Sequence, residues 1–378
     1  MNEDRSSRYH RLKRRAGIAS VVWSVALLTG LLLTRASIAM RDVAGQSALA
    51  IVYYVALLLL LNEAGSLPLA FYSGFLLERR YGLSHEPLGR WLVDQVKSFA
   101  IGLVLSSIGA AIIYSLIRVS PDRWWLPAGA VFAMLIVGLS NLAPVLLLPP
   151  FYRIKPLDRD ALRTRLLSLA ERAGARVLGA YEWGLSEKTR KANAALAGIG
   201  ATRRILVSDT MLAEYSDEEI EVVLAHELAH HVHGDIWKGI GFESLLILAG
   251  FYLASRALAG LAPVFGLRGV ADIAGLPLLV LAAGAVSFVM VPVAHAMSRA
   301  FERSADRFAL TLTRNPDAFI SAMKRLAAQN LAEEHPSRLV QVLFYSHPPV
   351  RERIAYAAGF SMSSTDSTTA GSNRLGRS

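Results

Sequence analysis

Long apolar stretches separated by short charged segments dominate the first 150 residues and return after residue 270. Each of these stretches lacks charge and approaches or exceeds the roughly 20 residues that cross a bilayer as a helix. They are Ala16–Thr34, Val43–Asn62, Ser98–Ile117, Trp124–Tyr152 and Ile273–Ser298. The second continues past Glu63 to Leu77, which is too short for two spans and a turn, so it predicts either one long helix or a helix kinked at Pro68.

A sixth span is predicted between about Lys238 and Ala262, although Glu243 and Arg256 lie within or near it. Arg256 can extend to the interface, whereas a glutamate at membrane depth should face protein or water rather than lipid. The pattern therefore predicts a mainly α, polytopic membrane protein with about six spans.

The distribution of basic residues predicts the orientation of these spans. Residues 1–15 form a basic tail with six Lys or Arg residues directly before the first span, which places the tail in the cytoplasm. Alternation puts the other strongly basic segments on that side too, whereas the opposite loops hold only Arg35, Arg41, Arg118, Arg123 and Arg268. The net charge of +10 thus fits topology and anionic lipid, and no motif indicates a nucleic-acid partner.

Composition divides the chain after the tail into three further parts. Residues 16–150 form an N-terminal membrane domain of about four spans, and residues 151–360 resemble a soluble domain that a membrane hairpin interrupts at about residues 239–298. A small β element is expected at Arg204–Ser208, and Ser216 with Glu219 predicts a capping box that begins a helix. Residues 361–378 are rich in Ser, Thr and Gly and are predicted to be disordered.

The segment VVLAHELAHHVHGD, residues 222–235, carries the strongest chemical signal. His226 and His230 lie on one helix face, one turn apart, so that both can bind one metal ion. Glu227 is one step round the helix, which suits a general base better than a ligand. His231 points about 140° away from His226 and is interpreted as a bystander that packs or contacts a backbone carbonyl.

Two alternative interpretations of this helix have to be considered, a metal site that uses His233 and a chance occurrence of the HExxH motif. His233 returns to the face of His226 but lies about 10 Å along the axis, so these two cannot share one ion, although His230 with His233 could. HExxH also occurs by chance in amphipathic helices. However, the apolar residues around the motif predict a buried helix, where His and Glu would be costly without a metal or partners.

Glu302 and Asp306, in RAFERSADRFA, are the best candidates for completing the site. They lie four residues apart on one helix face, so Glu302 can bind the metal while Asp306 accepts the free ring N–H of a ligand histidine. The alternative is a surface helix on which these acids pair with Arg303 or Arg307. The upstream HExxH favours the metal site. The chain has no cysteine, which excludes disulfides, thiol nucleophiles and zinc fingers.

Four motifs in order resemble membrane-embedded zinc metalloendopeptidases that include the type I CAAX prenyl protease and the bacterial HtpX-like heat-shock proteases. These motifs are RKANAALAGIGATRRILVSDTML, LAHELAHHVHGD, RAFERSADRFA and SHPPVRERI, and LPLAFYSGFLLERRYGLSHEPLGRWLVDQVKS is similar to the N-terminal domain of the CAAX branch. The resemblance implies a gluzincin-type protease domain with one Zn²⁺.

The resemblance also implies a role for each site residue. Zinc would bind His226, His230 and Glu302, with Glu227 as the base and Asp306 behind the first histidine. His347 would stabilise the transition state with Arg353 nearby. Asn193 would lie on a strand edge that grips the substrate backbone.

The predicted function is zinc-dependent hydrolysis of peptide bonds in membrane-associated or membrane-protein substrates, possibly lipidated ones, at the cytoplasmic face of the bilayer. A non-catalytic scaffold with a structural zinc is one alternative. Glu227 argues against it, because structural zinc sites have four ligands and need no base. A metal-ion transporter that uses His233, Glu243 and His295 is the other.

Overall fold

Long helices form the apolar N-terminal part of the molecule in the computed structural model, which describes residues 4–142, 148–198 and 203–360. In chain order they are α1 (Arg5–Leu33), the short α2 (Ala36–Ala44), α3 (Ala50–Arg80), α4 (Leu88–Val119) and α5 (Trp125–Leu142). Buried apolar residues of all five helices form one core with residues from the second half of the chain. The expected tail at residues 361–378 lies outside the described residues.

The second predicted span is confirmed as one long helix, but its predicted start at Val43 is wrong. Val43 belongs to α2, which ends at Gly45, a residue with a φ of +77° that favours glycine. Pro68 lies inside α3 and has no N–H to donate, and the turn that follows, Phe71–Leu76, winds as a π-helix.

Two more long helices follow in the second half, α9 (Asp235–Leu261) and α10 (Leu276–Thr313). With α1, α3 and α4 they are the five helices among the described residues that are long and apolar enough to cross a membrane, and α5 is a shorter apolar helix. The last predicted span ends at Ser298, but the helix does not end there, because α10 continues for fifteen residues beyond it. No Gly or Pro lies between residues 293 and 313 to end the helix.

The connections that follow α1, α4 and α9 meet at one end of the helix bundle. Arg41, Arg118 and Arg268 line one cavity there, and a guanidinium nitrogen of Arg41 lies 2.6 Å from a carboxylate oxygen of Asp272. A chain that alternates across a bilayer requires this grouping, since every second connection must lie on the same side.

The soluble part of the chain contains a four-stranded sheet in the order β1-β2-β4-β3. Its strands are β1 (Ile154–Pro156), β2 (Ala180–Trp183), β3 (Ala194–Ala197) and β4 (Arg204–Ser208). β4 is parallel to β2 and antiparallel to β3, which is an edge strand. β4 has the predicted limits. The family resemblance implied a strand edge at Asn193, and β3 begins one residue later, whereas β1 and β2 were not predicted.

Helices of the second half of the chain enclose the second hydrophobic core with this sheet. They are α6 (Asp160–Arg172), α7 (Asp209–Glu214), α8 (Asp217–Val232), α11 (Pro316–Gln329) and α13 (350–360), while α12 (Arg338–Phe344) packs against α10 and has no buried residue. The predicted capping box is confirmed: Ser216 Oγ accepts from the Glu219 N–H at 3.2 Å, and Glu219 Oε2 accepts from the Ser216 N–H at 2.9 Å. α8 is buried along most of its length.

A buried polar cluster connects the membrane helices to the segment before β3. Tyr9 Oη donates to Glu78 Oε1 at 2.5 Å, and Lys13 Nζ donates to the same oxygen at 2.7 Å. Lys191 Nζ lies 2.9 Å from the other oxygen of Glu78. The Arg190 N–H also donates to the Leu83 carbonyl at 2.9 Å, so residues on both sides of this junction are held by hydrogen bonds.

Candidate active site

α8 and α10 pack against each other and bring His226, His230 and Glu302 to one point. One potential ligand atom from each residue lies within 4.8 Å of the others. Nε2 of His226 is 3.1 Å from Oε2 of Glu302, and Nε2 of His230 is 3.6 Å from Oε1. Helical spacing explains the two histidines, whereas Glu302 arrives from a helix more than seventy residues later.

The three side chains fit a metal ion. Glu302 is only 5% exposed. Although its Oε2 lies close to His226, the geometry is not that of a hydrogen bond, and this oxygen has no hydrogen-bond partner among the described residues. A buried carboxylate oxygen of this kind is costly unless a cation satisfies it. Two histidines and a glutamate are also a ligand set of catalytic zinc sites with an open fourth position.

Asp306 and Arg353 lie behind His226. Nδ1 of His226 is 2.9 Å from Asp306 Oδ1, and Arg353 donates to both Asp306 oxygens at 2.9 and 2.6 Å. Burial lowers the pKa of His226, but its contacts with Asp306 and Glu302 outweigh this effect and raise the pKa to about 9. A ligand histidine must be neutral, so metal binding would release this proton from Nε2 while Nδ1 donates to Asp306.

Asp235 supports His230 in the same way and was missed by the sequence analysis. Its Oδ2 lies 3.1 Å from His230 Nδ1, and Lys238 Nζ donates to its Oδ1 at 3.0 Å. Gly234, with a φ of +68°, turns the chain between α8 and α9 and so returns Asp235 to the histidine. The Gly-Asp pair directly after the HExxH helix is the sequence feature that could have indicated this role of Asp235.

Glu227 lines a cavity of about 350 Å³ beside the three candidate ligands. Burial raises the pKa of its carboxyl group and outweighs the opposing effect of the nearby histidines. A carboxyl group whose pKa is raised toward neutrality can both take up and release a proton, as a general base must.

The predicted residues from other elements line the same cavity. His347 contributes to the wall, and its Nε2 lies 3.2 Å from Glu302 Oε1. Arg353 also lines it while it binds Asp306. Asn193, one residue before β3, is exposed in the cavity, although its main-chain N–H and C=O both bond to Ser208.

The two remaining histidines of the motif lie outside the metal-binding group. His231 Nε2 is 3.3 Å from the Leu196 carbonyl, the kind of backbone contact that was considered for it, and burial lowers its pKa to about 4. The ring is therefore neutral and donates through Nε2. His233 contacts Ser304 Oγ through Nδ1 at 3.2 Å and packs edge-on against Phe308.

Two family models match the chain in succession. Peptidase family M48 matches residues 156–360, and the model described as CAAX prenyl protease N-terminal, five membrane helices, matches residues 2–153. The chain belongs to peptidase family M48. The first match contains every candidate site residue, and the second contains the helices α1 to α5.

Curated relatives and a solved structure agree with this M48 assignment. The chain is 34% identical to the uncharacterized metalloprotease YhfN of Bacillus subtilis, over 80% of this chain and 72% of that protein. It is 27% identical to CAAX prenyl protease 1 of Saccharomyces cerevisiae, over 80% and 70%. The crystal structure of S. mikatae Ste24p has the same fold, with a TM-score of 0.82 at 22% identity, over 93% of this chain and 87% of that one. The M48 chain is thus a multi-pass membrane metalloprotease.

Proposed function

We propose that this M48 protein is a zinc-dependent endopeptidase that hydrolyses peptide bonds of membrane-associated or membrane-protein substrates at the cytoplasmic face of the bilayer. The observation that carries the proposal is the convergence of His226, His230 and Glu302 beside Glu227, in a cavity that the edge strand β3 lines.

His226, His230 and Glu302 would hold the zinc, which when bound supplies Lewis acidity toward water and toward the scissile carbonyl. Glu227 takes a proton from the attacking water and passes it to the leaving amine, which its raised pKa favours. Asp306 and Asp235 orient the two imidazoles from behind, so that each Nε2 faces the Glu302 carboxylate.

The other predicted residues act on the substrate from the cavity wall. His347 projects beside Glu302, where its ring can donate to the oxygen that gains negative charge in the transition state. Asn193 can contact the substrate only through its side chain, because its main chain is bonded to β4. The Arg353 guanidinium donates to both carboxylate oxygens of Asp306, so we infer that Arg353 chiefly fixes Asp306.

The cytoplasmic location rests on the bias of basic residues and on the fold. The basic tail, residues 1–15, belongs to the end of α1 that contacts the soluble part of the molecule through Tyr9, His10 and Arg14. The site therefore lies on the side of the tail, which the positive-inside rule assigns to the cytoplasm. Several curated relatives are named CAAX prenyl proteases, which supports lipidated peptides as one substrate class.

The alternative functions make different demands on Glu227. A scaffold with a structural zinc needs no carboxylate that lines an open cavity beside the ligands. A transporter using Glu243, His233 and His295 would show ion flux in liposomes that does not depend on Glu227.

The test compares the purified wild-type protein with Glu227→Gln and with the control Glu221→Gln. Glu221 lies on the same helix but pairs with Arg165 at the surface. We expect all three proteins to bind one zinc, and Glu227→Gln alone to lose cleavage of a disordered protein substrate by about 10²-fold or more. Cleavage by Glu227→Gln at the rate of the control would overturn the proposal.

A further inference from the structure

The edge of β3 that faces the cavity offers few main-chain groups to a substrate. In the antiparallel β3–β4 pair, the N–H of Ser208 donates to the carbonyl of Asn193 at 2.9 Å. Hydrogen-bonded and non-hydrogen-bonded pairs alternate, so Ala194 and Leu196 direct their N–H and C=O groups away from β4. Ala192 shares this outward direction just before the strand begins.

Asn330 already occupies one end of this edge. The Ala192 N–H donates to Asn330 Oδ1 at 3.0 Å, and Asn330 Nδ2 donates to the Ala192 carbonyl at 3.1 Å. The side-chain amide thus makes the same pair of bonds that one residue of an added antiparallel strand would make with its N–H and C=O. At the other end, the Leu196 carbonyl contacts His231.

Asn330 is held in this position by its neighbours. Gln329 Nε2 donates to the Arg190 carbonyl at 2.8 Å, and a ring nitrogen of His10 in α1 lies 2.9 Å from the Leu331 carbonyl. Residues before and after Asn330 are therefore fixed to two different parts of the molecule. Asn330 also lines the cavity that contains Glu227.

We propose that Asn330 is a specificity-determining residue that closes the substrate-pairing edge of β3 at Ala192. A peptide substrate then bonds to the N–H and C=O of Ala194 and to the N–H of Leu196. This inference rests on the proposed endopeptidase function.

The direction of the substrate strand follows from strand-pairing energetics. Antiparallel pairing is the more stable arrangement per residue, so a substrate should run opposite to β3. The substrate residue opposite Ala194 exchanges two hydrogen bonds with it. The residue two positions further toward the substrate C-terminus would exchange two with Ala192, but Asn330 holds both of those groups.

The experiment deletes substrate N–H groups one at a time. The probe is a β-casein peptide whose cleavage site is mapped by mass spectrometry, with each non-scissile N–H replaced in turn by an ester oxygen. kcat/KM is measured for the full-length, zinc-loaded wild type and for Asn330→Ala. The replacement opposite Ala194 should slow both proteins about threefold to tenfold, which is the usual effect of one lost hydrogen bond.

Two positions further toward the C-terminus, the replacement should leave the wild type within twofold and slow Asn330→Ala about threefold to tenfold. Asn330→Gly, which likewise removes both bonds to Ala192, should behave like Asn330→Ala and serves if that variant does not fold. A wild type already slowed at this position, or variants that are not slowed there, would overturn the inference. Absence of any wild-type cleavage would instead contradict the proposed function, and with it this inference.

Discussion

Asp235 lies directly behind His230, with its Oδ2 3.1 Å from Nδ1 of the imidazole. Asp235 is buried, and the chain returns it to the histidine through the turn at Gly234. Partners of this kind fix the ring orientation and raise the basicity of a metal ligand, and their loss typically reduces metal affinity 10- to 100-fold.

Asp235→Ala should therefore weaken zinc binding by about one to two orders of magnitude, measured by competition with a chromogenic chelator. Asp158→Ala, at an exposed acidic residue, is the control and should bind zinc like the wild type. Equal zinc affinity of the two variants would exclude a supporting role for Asp235.

The buried ion pair between Arg353 and Asp306 predicts a large loss of stability when one partner is removed. Arg353→Ala leaves the buried carboxylates of Asp306 and Glu302 with only the His226 imidazolium between them. One buried negative charge is then uncompensated, and such changes cost about 3–5 kcal/mol. Thermal unfolding of the metal-free protein should show this loss, whereas Arg351→Ala, at an exposed neighbour, should change little. Similar stabilities for the two variants would contradict the role of Arg353 as the buried ion-pair partner of Asp306.

Glu78 should stabilise the junction between the membrane helices and the segment before β3. Glu78→Ala leaves the buried Tyr9 hydroxyl without its acceptor and the partly exposed Lys13 and Lys191 without their shared carboxylate, so we expect a loss of about 1–3 kcal/mol in stability. The comparison is Glu187→Ala, which breaks an exposed pair with Arg90 and should cost less than about 1 kcal/mol. The prediction fails if limited proteolysis finds both variants equally resistant.

The sequence predicted features that depend on local pattern. The long apolar helices, β4 and the capping box at Ser216 follow from periodicity and residue type over a few positions. The start of α3 and the unbroken length of α10 were misjudged, since hydropathy marks apolar content and not the residue where a helix begins or ends.

Features that depend on tertiary contacts were less accessible to sequence analysis. The three strands β1 to β3 have three or four residues each, too few for a clear alternation. Asn330 is recognisable only from its contacts with Ala192, because an isolated Asn has no distinguishing spacing. The position of Glu302 beside His226 follows from the packing of α10 on α8, which the motif spacing suggested but did not define.

The orientation of the bundle can be tested by labelling, since the chain contains no cysteine that would need removal. Ser47→Cys lies in the connection after α2, and Ala161→Cys lies in α6 beside the sheet; both positions are exposed. A membrane-impermeant maleimide added to intact cells should label Ser47→Cys and not Ala161→Cys, which should react after lysis. The reverse pattern would place the active site outside the cytoplasm.

The most direct test of the account is anomalous diffraction at the zinc edge from crystals of the zinc-loaded protein. We predict one zinc peak, about 2.0–2.2 Å from Nε2 of His226, Nε2 of His230 and a carboxylate oxygen of Glu302. A zinc ion bound elsewhere, or one that excludes Glu302 from its ligands, would contradict the proposed metal centre.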